Sequence, residues 1–120
     1  MPGLLTTHVL DTMRGCPAAN MEIRLWRLDK TGQKGTLLKS MRTMDNGRTD
    51  APLLEGANLT VGTYELVFAV GAYFAAKGEK TTTPPFLDIV PVRFGIADPE
   101  AHYHVPLLVS PWAYSTYRGS

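Results

Sequence analysis

A chain of 120 residues with 12 Lys+Arg against 11 Asp+Glu carries a formal charge of +1, so no global field favours nucleic acid or an anionic membrane surface. Hydrophobic residues make up 44%, enough to bury the core of one domain spanning residues 1–120, and a single cysteine, Cys16, excludes an internal disulfide and a Cys-rich metal cage. The longest stretch free of Asp, Glu, Lys, Arg and His, residues 105–117, is broken by Pro106 and Pro111 and falls short of the ~18 apolar residues a membrane span needs. The N-terminal residues lack the basic region and long apolar run of a secretory signal, which makes the cytoplasm the expected compartment.

Turn-forming residues cut the chain into short runs rich in Val, Leu, Ile, Thr, Tyr and Phe, the pattern of a many-stranded antiparallel protein. The first strand is expected over 4–11, closed by the turn residues Arg14, Gly15, Cys16 and Pro17; the second and third cover 21–28 and 36–44, separated by Asp29 to Gly32. Asn46-Gly47 is the strongest hairpin signal and leads into a fourth strand over 48–54, followed by a fifth over 62–70. Residues 71–78, alanine-rich and closed by Gly78, predict a two-turn helix; strands over 88–95, 101–110 and 113–118 complete a set of eight. The run 101–110 is largely apolar on both faces, so each needs a cover, and a β-sandwich that oligomerises supplies both.

No phosphate-binding glycine loop, HExxH, GxSxG or CxxC is present. The chemistry is concentrated in three histidines, His8, His102 and His104, all inside predicted strands. Alternation puts His8 on a face with Leu4, Thr6 and Leu10, and His102 and His104 on a face with Pro106 and Leu108; the opposite faces are the cleaner core faces. If the two strands lie close together, His8 and His104 meet at one site, a candidate for acid/base chemistry near neutral pH. The same three histidines have the ligand count of a catalytic zinc site, and a lone strand histidine is also a common structural residue, so three readings stand side by side. Arg48, directly after the Asn46-Gly47 turn, can bring a planar guanidinium over a sheet end, where it suits a substrate carbonyl or a developing oxyanion, though an arginine after a turn is commonly just solvated. Cys16 has no neighbour in sequence that would activate it.

Residues 5–11 (LTTHVLD), 47–50 (GRTD), 102–108 (HYHVPLL) and the stretch from Ser110-Pro111 to the terminal Tyr117-Arg118-Gly119-Ser120 together resemble the 5-hydroxyisourate hydrolase branch of the transthyretin family, over essentially the whole chain. The resemblance implies an eight-stranded antiparallel sandwich of two four-stranded sheets with one short helix after the fifth strand, assembled as a homotetramer, a dimer of dimers, whose outer sheet faces line a channel. It implies hydrolysis of a small molecule, 5-hydroxyisourate, with no cofactor and no metal, and it carries His8, Arg48 and His104, rather than His102, over as catalytic, with Tyr117, Arg118, Gly119 and Ser120 at the substrate. Trp112 departs from the family's usual aromatic and is expected to be structural. Two other readings are a carrier that binds a small molecule in the same channel without turning it over, and a purely structural oligomerisation domain. The polar His8, Arg48 and His104 are costly in an apolar channel and speak against both.

Overall fold

A computed structural model describes residues 2–119; Ser120 lies outside the described residues. Among them, nine strands form two sheets. The strands are β1 (Leu4–Asp11), β2 (Cys16–Pro17), β3 (Glu22–Leu28), β4 (Gly35–Arg42), β5 (Leu54–Glu55), β6 (Gly62–Ala69), β7 (Ile89–Ile96), β8 (His102–Val109) and β9 (Tyr114–Thr116), with one helix, α1 (Val70–Ala76), after β6. One sheet runs β2-β1-β8-β9 with β5 also on β1; the other runs β4-β3-β6-β7. Strand alternation decides what fills the space between them. Leu5 and Val9 of β1 and Tyr103, Val105, Leu107 and Val109 of β8 point inward, against Ile23 and Leu25 of β3, Tyr64, Leu66 and Phe68 of β6, and Val90, Val92 and Ile96 of β7.

Three expectations are corrected. First, β1 and β8 run parallel, with Thr6 opposite His104 and His8 opposite Pro106, so the sheet that carries the histidines is mixed rather than wholly antiparallel. Second, the expected strand over 48–54 shrinks to β5. Asn46 Oδ1 accepts from the Arg48 N–H (2.9 Å) and Thr49 Oγ1 donates to the Ala51 carbonyl (2.6 Å), local bonds that compete with a ladder, and Pro52 has no N–H to offer one. Third, part of the turn expected at 14–17 is β2: the Gly15 N–H reaches the Asp11 carbonyl (2.9 Å) with Gly15 at φ +71°, and the chain then pairs back on β1 as Asp11↔Cys16 and Leu10↔Pro17. Cys16 is exposed and free. Trp112 is 53% exposed and lies against Phe86, ring centroids 5.9 Å apart, a surface pair rather than a core one.

α1 ends where its sequence says it should. Gly78 sits at φ +75°, its N–H bonds to the Ala75 carbonyl (3.0 Å) and the Glu79 N–H to the Phe74 carbonyl (3.1 Å), the paired closure that a glycine just beyond a helix permits. The helix is tied to β1 through a buried polar contact: Tyr73 Oη donates to Asp11 Oδ2 (2.8 Å), while Asp11 Oδ1 accepts from the Arg14 N–H (2.9 Å). Burial, followed by the Asp11 carboxyl beside it, pushes the Tyr73 phenol well above its ordinary range. Asp11 is 1% exposed, so loss of its donor strands a carboxyl oxygen away from water. Tyr73→Phe is therefore expected to lower unfolding free energy by about 1–3 kcal/mol, read by urea denaturation, although it removes only one oxygen and keeps the ring.

Candidate active site

The outer edge of β1 is covered at its two ends and open in the middle. β2 pairs at Leu10 and Asp11, β5 at Leu4 and Leu5, and scattered bonds add to them: the Val9 N–H donates to the Gly47 carbonyl (2.9 Å), the Ala18 N–H to the Val9 carbonyl (2.9 Å) and the Leu53 N–H to the Leu5 carbonyl (2.8 Å). The chain from 48 to 52 arches away from the strand, and beneath it opens a cleft of about 530 Å³ bounded by Thr6, Arg48 to Pro52, His102, His104, Tyr117 and Gly119. That volume falls in the range of small-molecule sites.

The parallel register places the imidazoles. His102 and His104 share the outer face of β8, their ring centroids 6.2 Å apart, and the Thr6 hydroxyl lies between them, hydrogen-bonded to His104 Nδ1 (2.8 Å) and His102 Nε2 (2.9 Å). His8 stands two residues further along the same face of β1, beside the cleft rather than among the residues that bound it. Each of the two half-buried imidazoles rests on a glycine. A Cβ on Gly119 would lie 2.6 Å from His104 Cδ2, and one on Gly47 would lie 3.0 Å from His8 Cδ2 and 2.5 Å from the Val9 carbonyl oxygen. Gly47 is in addition held at φ +79°, where a side chain is strained, so both its shape and its backbone angle call for glycine.

Electrostatics follow from this crowding. Burial, then the Arg48 guanidinium, pushes His8 below its ordinary 6.5, against an opposite pull from the Asn46 backbone. His104 is pushed the same way, by burial first, then Arg48, then His102 and His8. Both imidazoles are thereby held neutral at pH 7, able to accept or donate a proton. Arg48 is exposed at the rim of the cleft, free to meet a ligand from the solvent side.

Of the residues singled out by sequence, Arg48, His104, Tyr117 and Gly119 come together around the cleft, with His8 beside it. Arg118 goes elsewhere. Alternation along the tail sends its guanidinium to the opposite side of the sheet, 4.2 Å from the centre of the Tyr103 ring, with Nη2 donating to the His102 carbonyl (3.5 Å), where it anchors the tail instead of facing the cleft. The Gly119 N–H donates to the His104 carbonyl (2.7 Å), which completes the docking. Among the described residues no group of three or more His, Cys, Asp or Glu is arranged to hold a metal ion, and one ring nitrogen of each of His102 and His104 is already engaged by Thr6. Thr6 was not singled out by sequence: it lies in the motif 5–11 and alternation puts it on the histidine face, but its partner strand could not be read from spacing.

The model of the HIUase/Transthyretin family matches residues 5–119. 5-hydroxyisourate hydrolase 2 of Rhizobium meliloti (strain 1021) is 56% identical over 118 residues, 98% of this chain and 97% of that protein. Among solved structures, Klebsiella pneumoniae 5-hydroxyisourate hydrolase superposes with a TM-score of 0.81 at 33% identity over 98% of this chain and 99% of that one. The crystal structure of (S)-allantoin synthase gives a TM-score of 0.93 at 54% identity over 99% of this chain, which spans 44% of that longer protein. Because the match takes in β1, the Gly47 turn, β8 and the tail docked on His104, together with the two-sheet frame that positions them, the chain belongs to the HIUase/Transthyretin family.

Proposed function

We propose that this protein hydrolyses 5-hydroxyisourate, opening its six-membered ring to 2-oxo-4-hydroxy-4-carboxy-5-ureidoimidazoline. The observation that carries the reading is the convergence of a neutral, half-buried His104 and an exposed Arg48 on one cleft of small-molecule size, in a chain 56% identical to a 5-hydroxyisourate hydrolase over nearly its whole length. In this mechanism His104 removes a proton from a water that attacks the ring carbonyl, Arg48 holds the developing oxyanion, and His104 returns the proton to the leaving ring nitrogen. His8, neutral for the same reasons, donates a hydrogen bond through its ring N–H. The chemistry calls for no cofactor. Tyr117 contacts the substrate at the rim, while Gly119 and Arg118 seat the tail against β8. Ser120, the last residue, is assigned to the substrate from its place in the terminal tetrapeptide alone.

Residues 1–120 act as one domain, in the cytoplasm, as a homotetramer in which the outer sheet faces meet and close the cleft. The open cleft and the exposed Tyr117 (59%) that lines it support the assembly, and no helix among the described residues is long and apolar enough to cross a membrane. A carrier role is disfavoured by the cleft's own lining, where Arg48, Asp50 and two histidines replace the apolar surface that retains a hydrophobic ligand.

The direct test generates 5-hydroxyisourate from urate in place and follows its absorbance; acceleration of its decay by the protein is expected, and decay at the protein-free rate would remove the assignment. His104→Asn is expected to slow turnover by about 10²-fold or more with the oligomeric state kept. Gly119→Ala, whose added Cβ would lie 2.6 Å from His104 Cδ2, is expected to lower kcat by about 10²-fold through displacement of His104, with circular dichroism unchanged. Because the base acts in its neutral form and its titration is shifted down, the fall of kcat/KM with acid as His104 and His8 become protonated should have its midpoint below the ordinary histidine value of 6.5. Arg48→Gln removes one of the charges that depress both imidazoles, so besides an about 10²–10³-fold loss of rate it should move this acid limb upward, toward 6.5, in a pH-rate profile.

A further inference from the structure

The proposed reaction needs one particular nitrogen of His104 to be free. Thr6 Oγ1 lies 2.8 Å from Nδ1, so Nε2 is the ring nitrogen left for the cleft that His104 lines. A neutral imidazole carries its hydrogen on one nitrogen and its lone pair on the other. Nε2 can therefore take a proton from water only while the ring hydrogen sits on Nδ1. With the hydrogen on Nε2, the same ring faces the cleft as a donor and is no base.

We propose that Thr6, itself held by His102, fixes His104 in the Nδ1–H tautomer and so presents a lone pair to the cleft at Nε2. The Thr6 hydroxyl has one hydrogen and two lone pairs, and His102 Nε2 lies 2.9 Å from the same oxygen that meets His104. Two continuous chains can form. In one, His104 Nδ1–H donates to Thr6 Oγ1 and the hydroxyl donates to His102 Nε2; in the other each bond is reversed and His104 keeps its hydrogen on Nε2. Arg48 selects the first. Its guanidinium acts on His104 and lines the same cleft, where its charge attracts a lone pair and repels an N–H. The first chain also suits the step that follows. As Nε2 takes up a proton the ring becomes a cation, and its Nδ1–H already donates to an oxygen that the onward bond to His102 polarises. No proton travels along the chain: Nε2 gains and returns its proton on the cleft side, while Nδ1 keeps its own throughout. Thr6 and His102 are thus positioning residues, and the exposed His102 acts as the acceptor that turns the Thr6 hydrogen away from His104.

The catalytic meaning of this tautomer rests on the hydrolase reading, whereas the tautomer itself is read without substrate. Nitrogen NMR of protein labelled at its three histidines, with His104 identified by its loss in His104→Asn, reports which ring nitrogens carry hydrogen. At about pH 8, where histidines are neutral, His104 should show Nδ1 protonated and Nε2 bare, and His102 should show a bare Nε2 as well. Thr6→Val and His102→Leu, which remove the acceptor or its support, should shift His104 toward the Nε2–H form. Each should also lose about 10-fold in kcat with KM unchanged, less than the ~10²–10⁴-fold of a group acting directly on substrate. Thr6→Ser and His102→Gln, whose hydroxyl and amide oxygen preserve the chain, should keep the wild-type tautomer and rate. A wild-type His104 with its hydrogen on Nε2, or a Thr6→Val or His102→Leu protein with the wild-type tautomer and kcat, overturns the proposal and leaves the hydrolase reading intact. A wild-type protein that shows the expected tautomer but does not accelerate the decay of 5-hydroxyisourate overturns the hydrolase reading and, with it, the catalytic role given to Thr6 and His102.

Discussion

The parallel register of β1 against β8 is the constraint on which the site depends. Side chains on adjacent strands meet only if their positions are opposed and their pleats agree, and the pairing of Thr6 with His104 satisfies both. A slip of one residue would turn the imidazoles into the core and send Leu5, Val9, Tyr103 and Val105 out to water. The same apolar contacts that hold the sandwich together therefore hold His104 at its hydroxyl partner, so stability and site geometry have one origin. A parallel pair needs a long connection, and here nearly the whole chain between residues 11 and 102, including the second sheet, serves as that connection.

Around this axis the site is built mainly by backbone. Gly47 and Gly119 bring main chain to within a few ångströms of the two rings, where any side chain would push them aside. This crowding strips water from His8 and His104, and the Arg48 guanidinium repels their protonated forms. Burial and repulsion act in the same direction. The imidazoles stay neutral and reactive while the guanidinium, exposed at the rim, keeps its charge for the ligand.

Much of this could be read from residues alone, and the parts that could not have identifiable causes. Period-two alternation sorted His8, His102 and His104 from the core face correctly, because β1 and β8 each bury one face continuously and burial enforces the period. The closing helix was legible within two residues for a similar reason: Gly78 stops it chemically. The run 48–54 misled because its composition suits a strand while its hydrogen bonds are local, made by Asn46 and Thr49, and no propensity reports where a side chain will bond. Arg118 was grouped with its neighbours by motif, although alternation along the same tail already separates it from Tyr117 and Gly119. Thr6 was visible only as a member of a motif and of a face, since its hydrogen bond is to a partner about a hundred residues away.

The arch over residues 48–52 has a bearing on how such a protein can change. It is tied to the sandwich through few backbone bonds, carries exposed side chains at Arg48, Asp50 and Ala51, and forms one wall of the cleft, whereas the opposite wall is made of β1, β8 and two glycines that tolerate little. Replacements at Asp50 or Ala51 reshape what the cleft admits, whereas Arg48 in the same arch also sets the charge that the imidazoles feel. The molecule thus separates an exposed rim from a tightly packed floor, and a fold organised in this way can take up new ligands by altering a handful of positions on one side.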